Sequence, residues 1–441
     1  MPPSNEASSS PLSAPASAGG RYRWIVCALL FVATTILYVD RQILSLLKGT
    51  LDQQFHWTNQ QFGDVTAAFQ TFYGIGLLGY GWFVDRFGVK IGYTLTMAAW
   101  SLAAMGHSLV FSGRGFVVAR GALGLAESGN FPSAIKAVAQ WFPKKERALA
   151  TAIFNSGANV GPVLAPATIP FIAAAWGWRS TFIIVGAMGL LWQAGWWFFY
   201  DTPQCLKRLS PRELAYIQSD ADEKAGGARM SWLLLLKHRQ TWAFVAAKLL
   251  TDPVWWFFLF WLPDYFKKSR GLDIKQSWVY LVSIYGLVTL LSIFGGWVTG
   301  FLVRSGWSVT RARKTGMFFF ALCVTPICLA TRAGVWEAVA LIGLAAAAHQ
   351  AWSANLFTTV SDIFPKKAVA SVVGIGGLAG SMGGIYFPHF TGRLLDHFEK
   401  LNRPTEGYSI LFAICACAYL VAFVLNHLLA PRFAPIRLDG D

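Results

Sequence analysis

The chain is a succession of long apolar runs separated by polar breaks, and the length of the runs sets the first expectation. Twelve of them occur, at roughly residues 24–45, 62–84, 91–112, 115–137, 148–175, 178–200, 240–265, 277–302, 313–331, 335–359, 369–392 and 408–430. Nearly every run reaches the ~20 residues that a helix rising 1.5 Å per residue needs to cross a ~30 Å hydrocarbon layer. The pattern predicts an all-α polytopic membrane protein with twelve transmembrane helices.

The polar breaks carry a second pattern. Trp141-Phe142-Pro143-Lys144-Lys145, ahead of run 5, recurs as Ile363-Phe364-Pro365-Lys366-Lys367 ahead of run 11, an offset of 222 residues in a chain of 441. A repeat of half the chain predicts two pseudo-symmetric six-helix bundles, here 21–200 and 240–430, with any ligand between them near the membrane midplane. The polar stretch 201–239 is the linker between them. Residues 1–20, rich in Ser, Pro and Ala, are expected to be a disordered tail, and 431–441 a short carboxy-terminal one. The first run is too long and lacks the small-residue site of a cleaved signal peptide.

Composition narrows the class. With 55% hydrophobic and only 13% charged residues the chain is far from an ordinary soluble protein. The formal charge of +15 points first to nucleic acid, but the location of the 37 Lys and Arg decides otherwise. If the amino terminus is cytoplasmic, the termini and even-numbered loops hold about twice as many as the odd-numbered loops, the positive-inside bias of a membrane protein. Both termini are therefore placed in the cytoplasm. Of the 6 Cys, all but Cys205 lie in apolar runs, with neither a disulfide framework nor a metal spacing. Gly74-Ile75-Gly76-Leu77-Leu78-Gly79 matches a dinucleotide-binding pattern but sits inside run 2 with no preceding strand, so it reads as helix packing by small residues. Hydrolase motifs are missing from the chain. No enzymatic activity, cofactor or metal is expected.

The chemistry lies in charges inside the runs, each costing on the order of 2.5–3.5 kcal/mol at a bilayer centre when bare. Asp40 and Arg41 fall late in run 1, within Ile36-Leu37-Tyr38-Val39-Asp40-Arg41-Gln42. In run 4, Glu127 lies roughly 18 Å along the helix, and Arg120, seven residues earlier, shares its face. Runs 1 and 4 belong to one half, so Asp40, Arg41, Arg120 and Glu127 are expected to form one charge-balanced network. Such a network predicts an anion site coupled to protons; its bland alternative is a structural ion-pair cluster.

After run 2, Gly81-Trp82-Phe83-Val84-Asp85-Arg86-Phe87-Gly88-Val89-Lys90 resembles the Gly-x-x-x-Asp-Arg-x-Gly-x-Lys signature of the major facilitator superfamily. In that family Gly81, Asp85, Arg86, Gly88 and Lys90 would form a cytoplasmic gate. The stretch Gly295 to Arg304 resembles the same signature but lacks its acid, which implies a weaker latch in the second half. Tyr38, Asp40-Arg41, Tyr73 and Glu127 together resemble the anion:cation symporters of the superfamily, over all twelve spans. The resemblance implies that Arg41 binds a substrate carboxylate, that Asp40 and Glu127 carry protons with Arg120 in their network, and that Tyr38, Tyr73 and Asn159 line the substrate.

Run 7 is similar to that of the hexuronate transporters within this family, in Thr251-Asp252-Pro253-Val254-Trp255-Trp256. Pro253 is expected to break the helix beside a cavity, Asp252 to hold sugar hydroxyls, and Trp255 or Trp256 to stack on a pyranose face. Gln350, Trp352 and Asn355 in run 10 and Ser381 in run 11 would complete a polar lining, with His349 a packing histidine or a titrating one. The expectation is a monomeric bacterial inner-membrane symporter importing a hexuronate such as glucuronate or galacturonate with protons. Galactonate, an aromatic or dicarboxylic acid, and a non-transporting nutrient sensor are the alternatives; a sensor would need a signalling domain, for which the tail after Pro431 leaves no room.

Overall fold

A computed structural model of the chain describes residues 20–219, 232–364 and 366–436. Most of the expected tails, residues 220–231 of the linker and Pro365 of the repeat lie outside the described residues. The helices are α1 (Tyr22–Leu46), α2 (Lys48–Phe55), α3 (Asn59–Phe87), α4 (Val89–Gly106), α5 (Gly113–Glu127), α6 (Asn130–Trp141), α7 (Lys144–Asn155) and α8 (Gly157–Phe199). The short α9 (Pro211–Gln218) and α10 (Trp232–Leu235) follow, and then α11 (Arg239–Arg270), α12 (Ile274–Arg304), α13 (Val309–Val324), α14 (Val335–Ile363), α15 (Lys366–Lys400) and α16 (Pro404–Leu429).

These make twelve spans in two halves. Span 4 is α5 continued by α6, and the break between them falls just after Glu127, at Ser128-Gly129. Spans 5 and 6 are joined through one residue, Gly177, whose φ of 81° only glycine adopts freely. Judged by length and apolar composition alone, five of the described helical segments could cross a membrane unaided. The other spans carry glycines, hydroxyls and charges that only a protein-lined interior tolerates.

The halves repeat each other's packing. In the first, α1 packs on α8, α3 on α5 and α4 on the later part of α8; in the second, the corresponding pairs are α11 on α15, α12 on α14 and α13 on α16. Among the described residues the main junctions between the halves are α3 with α15, α8 with α12, and α1 with α11. Small residues set several of these distances. A Cβ on Gly124 would lie 2.3 Å from the Phe69 carbonyl oxygen, so α5 and α3 touch backbone to backbone just ahead of Glu127. Gly76, in the dinucleotide-like stretch, faces Ser128 in the same contact.

Pro253 does not break its span. α11 stays helical from Arg239 to Arg270 through both Pro253 and Pro263. The carbonyl that loses its partner to Pro253 is that of Leu249, and it faces Gly383 of α15, where a Cβ would sit 2.5 Å from the oxygen. The freed carbonyl is thus packed on a neighbouring helix, at an apolar groove that Leu249, Pro253 and Gly383 line.

At the even-loop end α9 is stapled to the first half. Arg23 bonds Glu146 at 2.8 Å and Glu213 at 3.1 Å, and the Tyr216 hydroxyl donates to Glu146 at 2.9 Å. Lys90 pairs with Asp201 at 2.9 Å. Partial burial raises the Asp201 carboxyl, but the Lys90 ammonium and the Thr202 N–H outweigh it and hold it below the usual aspartate range.

Candidate substrate site

Asp40, Arg41, Arg120 and Glu127 meet where α1 crosses the break in span 4. Arg41 Nε donates to Glu127 Oε2 at 2.7 Å, with both side chains at most 1% exposed. Arg120 Nη2 donates to the Arg41 carbonyl at 2.9 Å. Asp40, one residue and about 100° around the helix from Arg41, turns the other way and accepts from the Trp100 indole at 2.6 Å. Formal charges in this quartet cancel, which is what lets four ionisable groups sit in a dry interior.

Arg41 is held by rings as well as by charge. Its guanidinium lies 5.0 Å from the Tyr38 ring, 5.2 Å from Phe69, 4.8 Å from Tyr73 and 5.4 Å from Trp256. The first three belong to its own half and Trp256 to the other, so one arginine spans the junction. Aromatic faces attract a desolvated guanidinium by ~2 kcal/mol each at best. Several buried polar atoms here lack a protein partner: Arg41 Nη2, Glu127 Oε1, Asp40 Oδ1, and Nε and Nη1 of Arg120. Arg41 therefore keeps an unused donor, and Glu127 an unused acceptor, at one place.

Beside this cluster, between the halves, lies a cavity of ≈170 Å³, smaller than an open drug-sized pocket. Tyr38, Asn159, Asp252, Trp255 and Gln350, all named from the sequence, line it, and so do Asn155, Lys248, Trp256, His349 and Ser353. Trp255 stacks on His349 at 5.4 Å and 8° between planes, and His349 Nδ1 bonds the Tyr419 hydroxyl at 2.5 Å. Lys248 binds Asp252 at 2.6 Å.

Other predicted residues lie elsewhere. Trp352 is wholly buried, edge-on to Tyr419. Asn355 is engaged with Arg313 of α13, donating to its carbonyl at 3.0 Å, while the Arg313 guanidinium binds Asp362 at 3.0 Å. Ser381 faces Gly74 at the α3 to α15 junction. The helical period explains the split in α14. Gln350 and Ser353 share the cavity face with His349, whereas Trp352 points about a third of a turn and Asn355 nearly half a turn away from its centre.

In the gate stretch, Gly88 adopts φ 82° and its N–H closes α3 on the Val84 carbonyl. Arg86 is exposed, and Lys90 holds Asp201. The surroundings of Gly81, the Asp85 side chain, and Gly295, Gly296, Trp297, Gly300 and Arg304 of the second-half counterpart lie outside the described residues.

Sequence reasoning missed the odd-loop end altogether. Hydrogen bonds and ion pairs that join described residues of one half to the other gather there. Lys48 binds Asp264 at 2.9 Å and Asp52 at 2.7 Å. Asp264 also accepts from the Tyr408 hydroxyl. Lys268 reaches Asn59 at 2.8 Å and Glu399 at 2.8 Å, and the N–H groups of Asn59 and Gln60 donate to Asp396 at 2.8 and 2.9 Å. Ser45 donates to the Leu259 carbonyl, and His389 pairs with Asp64. Burial pulls the Lys48 ammonium down, but Asp264 and Asp52 prevail and hold it up at about 12.

Residues 30–388 match the model of the Major Facilitator Superfamily. The chain is a member of that superfamily. Among its relatives, the hexuronate transporter of Escherichia coli strain K12 is 30% identical over 89% of this chain and 90% of its own length. The galacturonate transporter of Dickeya chrysanthemi is 34% identical over 63% of this chain and 81% of its own. The fold of this major facilitator is similar to that of a bacterial homolog of the human lysosomal transporter Spinster in its inward-facing, occupied conformation. That likeness has a TM-score of 0.74 at 17% identity and covers 94% of this chain and 98% of the other. The protein is a membrane-embedded transporter related to carriers of sugar acids.

Proposed function

We propose that this major facilitator imports a hexuronate, glucuronate or galacturonate, together with protons across the bacterial inner membrane. The observation that carries the reading is the buried Arg41 to Glu127 bond at the edge of an inter-half cavity. An arginine offers a carboxylate two parallel bonds and stays charged throughout. While Glu127 is ionised it occupies that arginine. Protonation of Glu127, with Asp40 as the second proton carrier beside Arg120, removes the competitor and leaves Arg41 to the substrate carboxylate. Proton and substrate are coupled because they decide the partner of one guanidinium.

The hydroxyls of the sugar fall to Asn159, Gln350 and Asp252, and Trp255 or Trp256 covers a pyranose face. With both termini cytoplasmic, the interlocked odd-loop end is periplasmic and release is toward the cytoplasm. Substrate leaves that way, the protons follow, and Glu127 recaptures Arg41. Counterflow of labelled glucuronate in proteoliposomes tests the reading. Saturable exchange is expected, and its absence for every sugar acid would contradict it.

A further inference from the structure

The cation that the cavity itself presents is not Arg41. Arg41 is 1% exposed and stands behind Tyr38 and Trp256, two of the cavity walls. Lys248, by contrast, is among the lining residues, with its side chain 8% exposed and its ammonium 4.6 Å over the Phe357 ring. It lies on α11 one turn from Asp252, which it binds at 2.6 Å. Asp252, on a short side chain, packs directly over Gly380 of α15, where a Cβ would lie 2.2 Å from its Oδ2. The lysine, on four rotatable bonds, is the mobile member of the pair.

We infer that Lys248 is a second carboxylate-recognition residue, contributed by the carboxy-terminal half. In the empty cavity Asp252 is its placeholder anion. When a sugar acid enters, one oxygen of its carboxylate takes Lys248 while the other is left to Arg41, and the released Asp252 accepts sugar hydroxyls. The acid brings one negative charge, which the proton taken up with it offsets, and the released Asp252 exchanges the ammonium for hydrogen bonds from the sugar hydroxyls. The neighbours of the cavity fit this division: Asn155, Asn159, Gln350 and Ser353 are neutral hydrogen-bonding groups suited to hydroxyls rather than to a charge. A neutral sugar offers nothing that opens the ion pair, so the pair also selects for acids. This inference rests on the proposed function, since it assumes that the substrate is a sugar acid.

The test is equilibrium binding of labelled glucuronate to the purified full-length chain in detergent, with thermal unfolding midpoints as a folding control. Lys248→Met is expected to weaken binding at least ~30-fold, the loss typical of a desolvated charged hydrogen bond. Because that variant strands Asp252, the decisive protein is the charge-balanced Lys248→Met/Asp252→Asn. If Lys248 receives the carboxylate, the double variant binds no better than Lys248→Met. If Lys248 only neutralises Asp252, the double variant binds as well as Asp252→Asn alone, and the inference is overturned. Wild type that saturates with no sugar acid would instead refute the reading of function beneath it.

Discussion

Replacing Glu127 with Gln removes the charge that competes for Arg41 while leaving an amide oxygen within its reach. The wild-type quartet of Asp40, Arg41, Arg120 and Glu127 is formally neutral; the variant carries one net positive charge in the same dry site. Arg41 then holds a neutral hydrogen bond in place of one to a carboxylate. Charge-assisted bonds are roughly twice as strong as neutral ones, a difference of about 1–1.5 kcal/mol. Glucuronate should therefore bind ~5–10-fold more tightly above the pH at which wild-type Glu127 ionises, and its affinity should lose the part of its pH dependence due to this group. Energetics of transport should move the other way. Each coupled proton adds about 1.36 kcal/mol, or tenfold accumulation, per unit of pH gradient, and the variant forfeits the proton carried at this site. Counterflow, which needs no net proton movement, should survive in proteoliposomes, whereas uphill accumulation under an imposed pH gradient should fall by about tenfold per unit. Equal loss of both activities would make Glu127 a structural residue and refute the competition for Arg41.

Arg41→Lys keeps the charge but loses the planar fork and its seat among four rings, so glucuronate binding should weaken at least ~30-fold, about 2 kcal/mol; unchanged affinity would remove Arg41 from the site. Asp264→Asn takes from Lys48 its partner across the halves, and a reporter Ser45→Cys in a cysteine-free background should react ~10-fold faster with a membrane-impermeant thiol reagent than without Asp264→Asn. An unchanged rate would mean that the contact does not hold the odd-loop end shut. Gly161→Ala places a Cβ 2.6 Å from that of Tyr38 and 2.7 Å from the Thr35 carbonyl. Overpacking of this kind costs typically 1–3 kcal/mol, so the unfolding midpoint should drop and glucuronate binding should weaken through displacement of Tyr38.

The fold was largely legible because a membrane makes hydrophobic run length a strong signal. Even the one-residue join at Gly177 showed as a gap between two runs. The charge quartet was legible for a related reason, since each buried charge is costly enough to demand a partner. Seven-residue spacing put Arg120 and Glu127 on one face, and the six-helix half put span 1 beside them. Helix phase was less visible. Without knowing which side of α14 faces inward, Trp352 and Asn355 read like Gln350, although Arg313 and Tyr419 claim them. Pro253 misled because the cost of a missing hydrogen bond depends on what the freed carbonyl meets, here a glycine face of α15. Lys248 stands one turn before Asp252 in the sequence, but which of the two faces a cavity is set by packing alone. The lock at the odd-loop end could not be read at all, since Lys48 and Asp264 lie 216 positions apart in loops and helix ends, and only packing brings them together.

The most direct test of the central claim is uptake of labelled glucuronate into proteoliposomes carrying an internal pH indicator, with and without an imposed gradient. The account predicts saturable uptake that acidifies the lumen and that accumulates glucuronate when the outside is more acidic. Saturable uptake indifferent to the gradient, with no acidification, would contradict proton coupling at Glu127.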